Sequence, residues 1–483
     1  MKREKSLKLN MLLNSIRNIS NAVMPLITFP YLSKVLGVEN MGKLSFSQSF
    51  IDIFILIAGL GVSTYAIRES AVLREEKKKF ERFSSQVFTI NTCSTAVSCF
   101  LLVFLLFCIP KLREYHLLLI IFALQIIFTT LGVEWLYTAN EDFAYITART
   151  VLFRFLSLIA VFVFVHSKED VYCYAWILTG TIIGTGIMNF IYSRKYCSLR
   201  LLTDLDLKRH MKPIITLFAL SVAINIYVHS DITVLGFFKN DYHVGIYSFS
   251  SRIYGLLKSV LASVIAVSIP RLAALKKEGG EAFSKTAMET YSFLITLCIP
   301  AIAGIIILRK EMILLLADET YLEAGVSLVI LAAAIFFCLG AYFWGQCIMV
   351  PNQMESRLFR ITCVSALINL SLNLILIPLW AEKAAAFTTL IAEGFCFFRN
   401  RHYGKEVFHG EGIGTIYWKV LAGSLPIFLN GILLRSIIDN PYLFMIICIL
   451  FSILEYLIIE YAVGNPAVTD TVNSVKHRLY KER

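Results

Sequence analysis

The sequence predicts an all-α polytopic membrane protein of about fourteen transmembrane helices, made of two related halves of about 200 residues and two further helices. Three observations carry this. Only 16% of the 483 residues are charged and 57% are hydrophobic, with a mean hydropathy of +0.69; soluble domains carry about 25% charged residues. Apolar runs of roughly 20 residues follow one another along the chain, and the longest clearly polar stretch, 194–212, is too short for a soluble domain. Finally, the chain states one helix–turn–helix twice.

The N-terminus, MKREKSLKLN, is basic like the start of a signal peptide, but the segment after it holds Asn14, Arg17, Asn18 and Asn21 and lacks a small-x-small cleavage site. Residues 11–33 therefore read as a retained first helix, interrupted by Pro25 and Pro30. The second span, 44–67, opens on the turn LGVENMGKLSFSQSF. Spans at 84–109, 115–137, 144–165, 171–193 and 213–237 follow. The eighth, 244–270, opens on LGFFKNDYHVGIYSFSSRIY, and 286–308, 324–349, 358–379, 382–398, 416–436 and 441–463 complete the set.

The two turns align residue by residue. Leu36-Gly37 matches Leu235-Gly236, and Gly42-x-x-Ser45-Phe46-Ser47 matches Gly245-x-x-Ser248-Phe249-Ser250, with four extra residues between the two parts in the second copy. Gly42 to Arg68 and Gly245 to Arg271 are then both 26 residues. Apolar segments resemble one another by chance, but a shared Gly-x-x-Ser-Phe-Ser with equal spacing to an arginine points to duplication. Gly37, Gly42, Gly236 and Gly245 are expected to let helices bend or approach closely.

Basic residues set the expected orientation. Thirty of the 45 fall in the tails and in the loops 68–82, 194–212, 271–285, 350–360 and 399–419, and ten fall in the opposite loops. The positive-inside rule then puts both termini in the cytoplasm. The net charge of +11 is a topology signal and not a nucleic-acid surface.

Five cations remain inside the spans: Arg17, Arg149, Arg154, Arg252 and Lys258. Each costs about 2.5–3.5 kcal/mol at mid-membrane if it faces lipid, so most are expected to face a hydrated interior; snorkelling is the plainer alternative for any one of them. Asn10, Asn14, Arg17, Asn18 and Asn21 recur at helical steps, which places them on one polar stripe. Ser221, Asn225 and His229 repeat the idea in the seventh span, and Asn369 and Asn373 in the eleventh; asparagines of this kind also serve as helix-packing contacts. Asp52, Glu134, Asp231 and Glu393 either bind a coupling proton or sodium ion or pair with the cations. Trp135, Tyr137 and Tyr145 either stack on sugars or form an interfacial aromatic belt. The eleven cysteines show no zinc or CxxC spacing and read as packing residues. There is no GxxxxGK[ST] and no HExxH, so neither ATP hydrolysis, nor a metal site, nor any other resident cofactor is expected.

With the turn, the duplication and the spans in place, the chain resembles the polysaccharide-repeat-unit flippases (Wzx-type) of the multidrug/oligosaccharidyl-lipid/polysaccharide exporter superfamily. Residues 1–80 carry this best, through the polar first helix, FPYLSKVLGVENMGKLSFSQSF, GLGVSTYAIRESA and a basic loop. The resemblance implies two six-helix lobes around a central cavity, at 1–200 and 201–400, with two extra helices and a cytoplasmic tail at 401–483. It implies alternating access and, as substrate, an undecaprenyl-pyrophosphate-linked oligosaccharide whose pyrophosphate is held by cavity cations, for which the five above are the candidates. Membrane lipids and other polysaccharide-assembly proteins are the further partners it implies; no nucleic acid is. The alternatives are a multidrug or cation exporter of the same superfamily, which favours an acidic cavity, and a peptidoglycan-precursor flippase. A membrane polysaccharide polymerase, an enzyme, would need a larger outer loop than the roughly 15 residues after Arg309.

Overall fold

The computed structural model describes the backbone of residues 7–73, 76–278 and 280–481. Among these residues the chain is helical, with no strand. Eleven segments are long and apolar enough to cross a membrane. Two of them, of 51 and 50 residues, are each about twice the length a bilayer needs. Counted as helix pairs, and with the stretch 213–237 of the helix Leu207–Phe238 added, they give the fourteen spans expected.

The chain packs as two compact units, Met1–Gly245 and Ile246–Arg483. The first holds α1 (Leu7–Gly59), α2 (Val62–Leu73), α3 (Lys77–Cys108), α4 (His116–Leu131), α5 (Glu134–Ala139), α6 (Phe143–Phe164), α7 (Val171–Ser193) and α8 (Leu207–Phe238). It ends on the first turn of α9 (Asp241–Glu278). Within it α1 packs on α3, α4, α6 and α8, and α4 packs on α7. Lipid offers no hydrophobic gain for helix pairing, so small polar groups do much of the joining. Ser98 Oγ donates to the Phe54 carbonyl at 2.7 Å and Asn91 Nδ2 to that of Ala58 at 2.6 Å.

The second unit holds the rest of α9, α10 (Gly280–Leu316), α11 (Ala324–Tyr342), α12 (Glu355–Gly404), α13 (Ile413–Arg435), α14 (Pro441–Ala462) and α15 (Pro466–Lys481). α11 runs on through a wide turn of helix at Phe343–Met349. α12 breaks at Ala381 (φ 51°, ψ −130°), three residues after Pro378, where the sequence separates the eleventh and twelfth spans. α13, α14 and α15 pack on α10, and the Arg435 guanidinium clamps Glu311 at 2.7 and 2.9 Å. α15 is too short and too polar to be a span, and Asn465 docks it by donating to Thr296 Oγ1 at 3.0 Å and Glu460 Oε2 at 2.5 Å.

The repeated turns differ where their lengths differ. In the first copy the helix continues through a single kinked residue, Gly37 (φ 76°, ψ 170°), a backbone shape that glycine takes without strain. The four extra residues of the second copy make a true break at Lys239–Asn240 between α8 and α9. Lys111 Nζ satisfies the end of α8 there, donating to the carbonyls of Phe237 and Lys239 at 2.9 Å each. The matching glycines Gly42 and Gly245 meet: a Cβ on Gly42 would lie 1.9 Å from the Asp241 carbonyl oxygen, and one on Gly245 2.1 Å from that of Val38. Gly236 is filled just as closely by the Phe46 ring.

Candidate functional site

A charged cavity of about 790 Å³ lies within the first unit. α1 contributes Arg17 and Gln48, α4 contributes Gln125, α5 contributes Glu134, α6 contributes Arg149 and Arg154, and α7 contributes Asn189. The wall is made by a local break. Val133, in the left-handed region (φ 37°), ends α4 and starts α5, so Glu134 turns into the cavity instead of continuing the predicted span 115–137. The Gly132 carbonyl freed by this break accepts from Asn189 Nδ2 at 2.7 Å. Gly186 lets α7 approach α4 at the same level, where a Cβ would lie 2.5 Å from the Phe128 carbonyl oxygen.

Arg149 is the buried cation of the site, 3% exposed. Its guanidinium donates to Asn189 Oδ1 at 2.6 Å and to Glu134 Oε2 at 3.1 Å. Asn189 is in turn fixed: Tyr145 Oη donates to its Oδ1 at 2.9 Å, and Tyr137 Oη donates to its backbone carbonyl. Arg17 reaches the other oxygen of Glu134 at 3.6 Å. The Nε atoms of Arg17 and Arg149 are buried with no acceptor among the described residues, and Arg154 lines the same cavity. Three guanidinium groups thus face one carboxylate, leaving positive charge and unspent donors, which is what an anion with several oxygens requires.

The other cations expected at the site lie elsewhere. Lys258, in the second unit, pairs with the buried Glu393 at 3.7 Å, and Tyr254 Oη donates to Glu393 at 2.8 Å. Arg252 is exposed on α9. Among the acids, Asp52 accepts from Gln48 Nε2 at 2.9 Å and Asp231 is buried. Of the polar stripe, Asn14 has a buried Oδ1, while the side chains of Asn10, Asn18 and Asn21 lie outside those described, as does that of His229. Asn225 bonds within its own helix, to the Ser221 carbonyl at 3.0 Å. Asn369 and Asn373 are buried and bond each other and Thr388. Trp135 and Tyr137 are buried, and Tyr145 stacks on Tyr192 at 3.8 Å.

The sequence reading passed over Asn189, Gln48 and Gln125. The Gln48–Gln125 amides bond each other at 3.0 and 3.2 Å, and Gln125 also donates to Thr179 at 3.1 Å. The signal was present, since each is an uncharged polar residue within an apolar run. A second cavity, of about 630 Å³ between α10, α14 and α15, contrasts with this one: its lining, from Phe293 to Val472, carries no charge.

Next to the charged site, outside the spans, Asp142 accepts from Tyr192, Tyr196 and Lys195. The Tyr192 contact, helped by Asp142, raises the Lys195 pKa above its ordinary value. Burial pushes the Cys197 thiol up to about 11 and holds the His210 imidazole below its ordinary range.

An all-α polytopic fold with a polar cavity inside the first unit is that of a multi-pass membrane protein. The structure is similar to a lipid II flippase, MurJ, in an inward closed conformation (TM-score 0.74, 18% identity, 93% of this chain and 98% of that one). It is also similar to an inward-facing multidrug resistance MATE family transporter of the MOP superfamily (TM-score 0.56, 14% identity, 80% of this chain and 98% of that one). In sequence, the chain is 22% identical over 398 residues to an Escherichia coli (strain K12) protein provisionally named an O-antigen transporter, covering 80% of this chain and 94% of that protein. A Shigella dysenteriae protein of the same provisional name is 22% identical over 375 residues, covering 75% and 91%. Residues 7–276 match the profile of the polysaccharide biosynthesis protein family. The chain belongs to that family, and its resemblance to the Wzx-type flippases stands.

Proposed function

We propose that the protein is a flippase that carries undecaprenyl-pyrophosphate-linked oligosaccharide repeat units (O-antigen, capsule or exopolysaccharide) from the cytoplasmic to the outer leaflet by alternating access. The single observation that carries this reading is the cavity charge: Arg17, Arg149 and Arg154 against Glu134 alone. A diphosphate linked to lipid must leave water at the headgroup level, and guanidinium groups replace its lost hydration with paired hydrogen bonds. A cation exporter needs the opposite sign, so the drug-exporter reading is disfavoured on the same ground. In this reading the protein moves its substrate without chemical change and is not an enzyme. It lies in the inner membrane with both termini cytoplasmic, and its parts are two lobes, 1–200 and 201–400, and a C-terminal helix pair with its tail, 401–483. Gly37, Gly42, Gly236 and Gly245 are the points about which helices bend or slide. A proton or sodium gradient acting through Asp52, Asp231 or Glu393, or the membrane potential acting on the anionic substrate, drives the cycle.

The test is mass spectrometry of lipid-linked oligosaccharides from cells lacking the protein, paired with an assay of which leaflet holds them. Accumulation of complete repeat units on the cytoplasmic leaflet is expected, and their mass identifies the glycan. Accumulation of a peptidoglycan precursor instead would assign the protein to that substrate. Single units accumulating on the outer leaflet would point to a polymerase, and no accumulation at all would revive the drug exporter.

A further inference from the structure

Glu134 is the carboxylate that lines the charged cavity, and it bridges the two cations best placed to hold a diphosphate. Its two oxygens divide between them, one to Arg17 at 3.6 Å and one to Arg149 at 3.1 Å. The partners differ in freedom. Arg149 is 3% exposed and keeps Asn189 as a second acceptor, whereas the Glu134 side chain is 50% exposed and sits just after the break at Val133. A buried guanidinium without a counter-charge is costly, so an empty site needs an anion of its own. A carboxylate with open space beside it can leave without dragging the cation along, because Asn189, held by Tyr145 and the Gly132 carbonyl, keeps Arg149 in place.

We infer that Glu134 is the site's resident counter-anion, and that substrate binds by exchange: phosphate oxygens take the places of the Glu134 oxygens on Arg17 and Arg149, and the carboxylate swings into the cavity. The inference rests on the diphosphate reading above and adds a selection rule to it. A ligand must compete with an anion already seated on both cations. A diphosphate, with more charge and more oxygens, does so; a single phosphate or chloride does so poorly. Glu134 thus sets a threshold that keeps abundant small anions out of an open cationic site. It is a gatekeeping residue, and in this role it binds no coupling ion.

The test uses the purified full-length protein in detergent, titrated calorimetrically with inorganic pyrophosphate and with orthophosphate at fixed pH and ionic strength. Wild type is expected to bind pyrophosphate and to discriminate against orthophosphate. Glu134→Gln is expected to bind pyrophosphate about tenfold more tightly and to lose most of that discrimination. If Glu134→Gln binds pyrophosphate equally or more weakly while wild type binds it, the exchange is refuted and the diphosphate reading survives. If neither protein binds pyrophosphate, the diphosphate reading itself fails. Glu134→Ala serves as the second variant; if neither substitution yields folded protein, Glu134 is a structural pair and the gatekeeping role falls.

Discussion

Arg149 shows how much one side chain is asked to do, holding a charge at 3% exposure through two acceptors set at an angle. A lysine keeps the charge but offers a point donor in place of a planar fork, and so cannot span Asn189 and Glu134 together. Arg149→Lys is expected to lower transport by about tenfold or more at unchanged membrane abundance, a loss of at least ~1.4 kcal/mol of substrate interaction. Arg252→Ala, an exposed change, is expected to stay within about twofold. Complementation paired with quantification of the protein in membranes checks both, and equal losses would remove the distinction between the cavity cations and the rest. His210 supplies a second residue-scale prediction. It is fully buried, with Nδ1 2.8 Å from Tyr65 Oη and Nε2 3.1 Å from Gln86 Oε1. Gln86 Oε1 only accepts, so Nε2 carries a proton, and the neutral ring then accepts from Tyr65 Oη at Nδ1. Burial, then the neighbouring Arg209 charge, holds the folded pKa below the ordinary 6.5; Asp206 and Glu69 oppose this. The stabilisation is therefore complete above pH 6.5 and is lost as pH falls from there through the folded value. Melting temperature in detergent is expected to drop between pH 7.5 and 5.5, and to drop less in His210→Gln, while the substitution itself costs about 1–3 kcal/mol for the partners it leaves unpaired. An equal drop in both proteins would rule His210 out as the sensor.

At the scale of elements, the repeated turn makes the sharpest claim. Any side chain at Gly42 meets the Asp241 backbone oxygen at 1.9 Å, and backbone yields less easily than a flexible side chain. Gly42→Ala is expected to destabilise the first unit by about 1–3 kcal/mol, whereas Gly59→Ala, with nothing within 4 Å, is expected to be silent. Thermal melts of the two variants decide it, and a silent Gly42→Ala would mean that the crossing opens freely. This contact was legible in part. The spacing that pairs Gly42 with Gly245 came from the sequence, but the sequence does not say that the two copies touch each other. Helix ends were legible where polarity or length changed, as in α6, α7 and α14. The gaps between spans at 34–43 and 380–381 mark the bends at Gly37 and Ala381, but that the chain stays helical through them was hidden, because a bend inside a helix leaves no mark on hydropathy. The break at Val133 was invisible for the same reason: a left-handed valine inside an apolar run leaves no mark on composition, and it is this break that turns Glu134 inward. α15 was hidden for the opposite reason, since 16 residues of mixed polarity read as a tail until Asn465 and Glu460 are seen to dock them.

At the scale of the whole molecule, what matters is how charge is divided between the two units. The rule that a cation in a span must face something polar picked out three that line one cavity and two that do not, and it gave none of them a partner, because pairing depends on distances that helix periodicity does not fix. The fold then treats the halves differently. In the first unit three arginines share one glutamate; in the second, Lys258 has a buried carboxylate of its own, steadied by Tyr254. On the proposed reading, this asymmetry places diphosphate binding in the first unit and a structural pair in the second, and it can be tested by neutralising that pair. Lys258→Met alone leaves the buried Glu393 without its cation, which costs about 3–5 kcal/mol, whereas Glu393→Gln alone leaves Lys258, 38% exposed, to be solvated and costs less. Removing both charges leaves neither stranded, so Lys258→Met/Glu393→Gln is expected to recover membrane abundance and to transport within a few-fold of wild type. Leaflet-resolved quantification of the lipid-linked oligosaccharide is the readout, with abundance measured alongside. A double variant that is abundant yet inactive would mean that Lys258 or Glu393 touches the substrate or a coupling ion, and its assignment as a structural pair would fall.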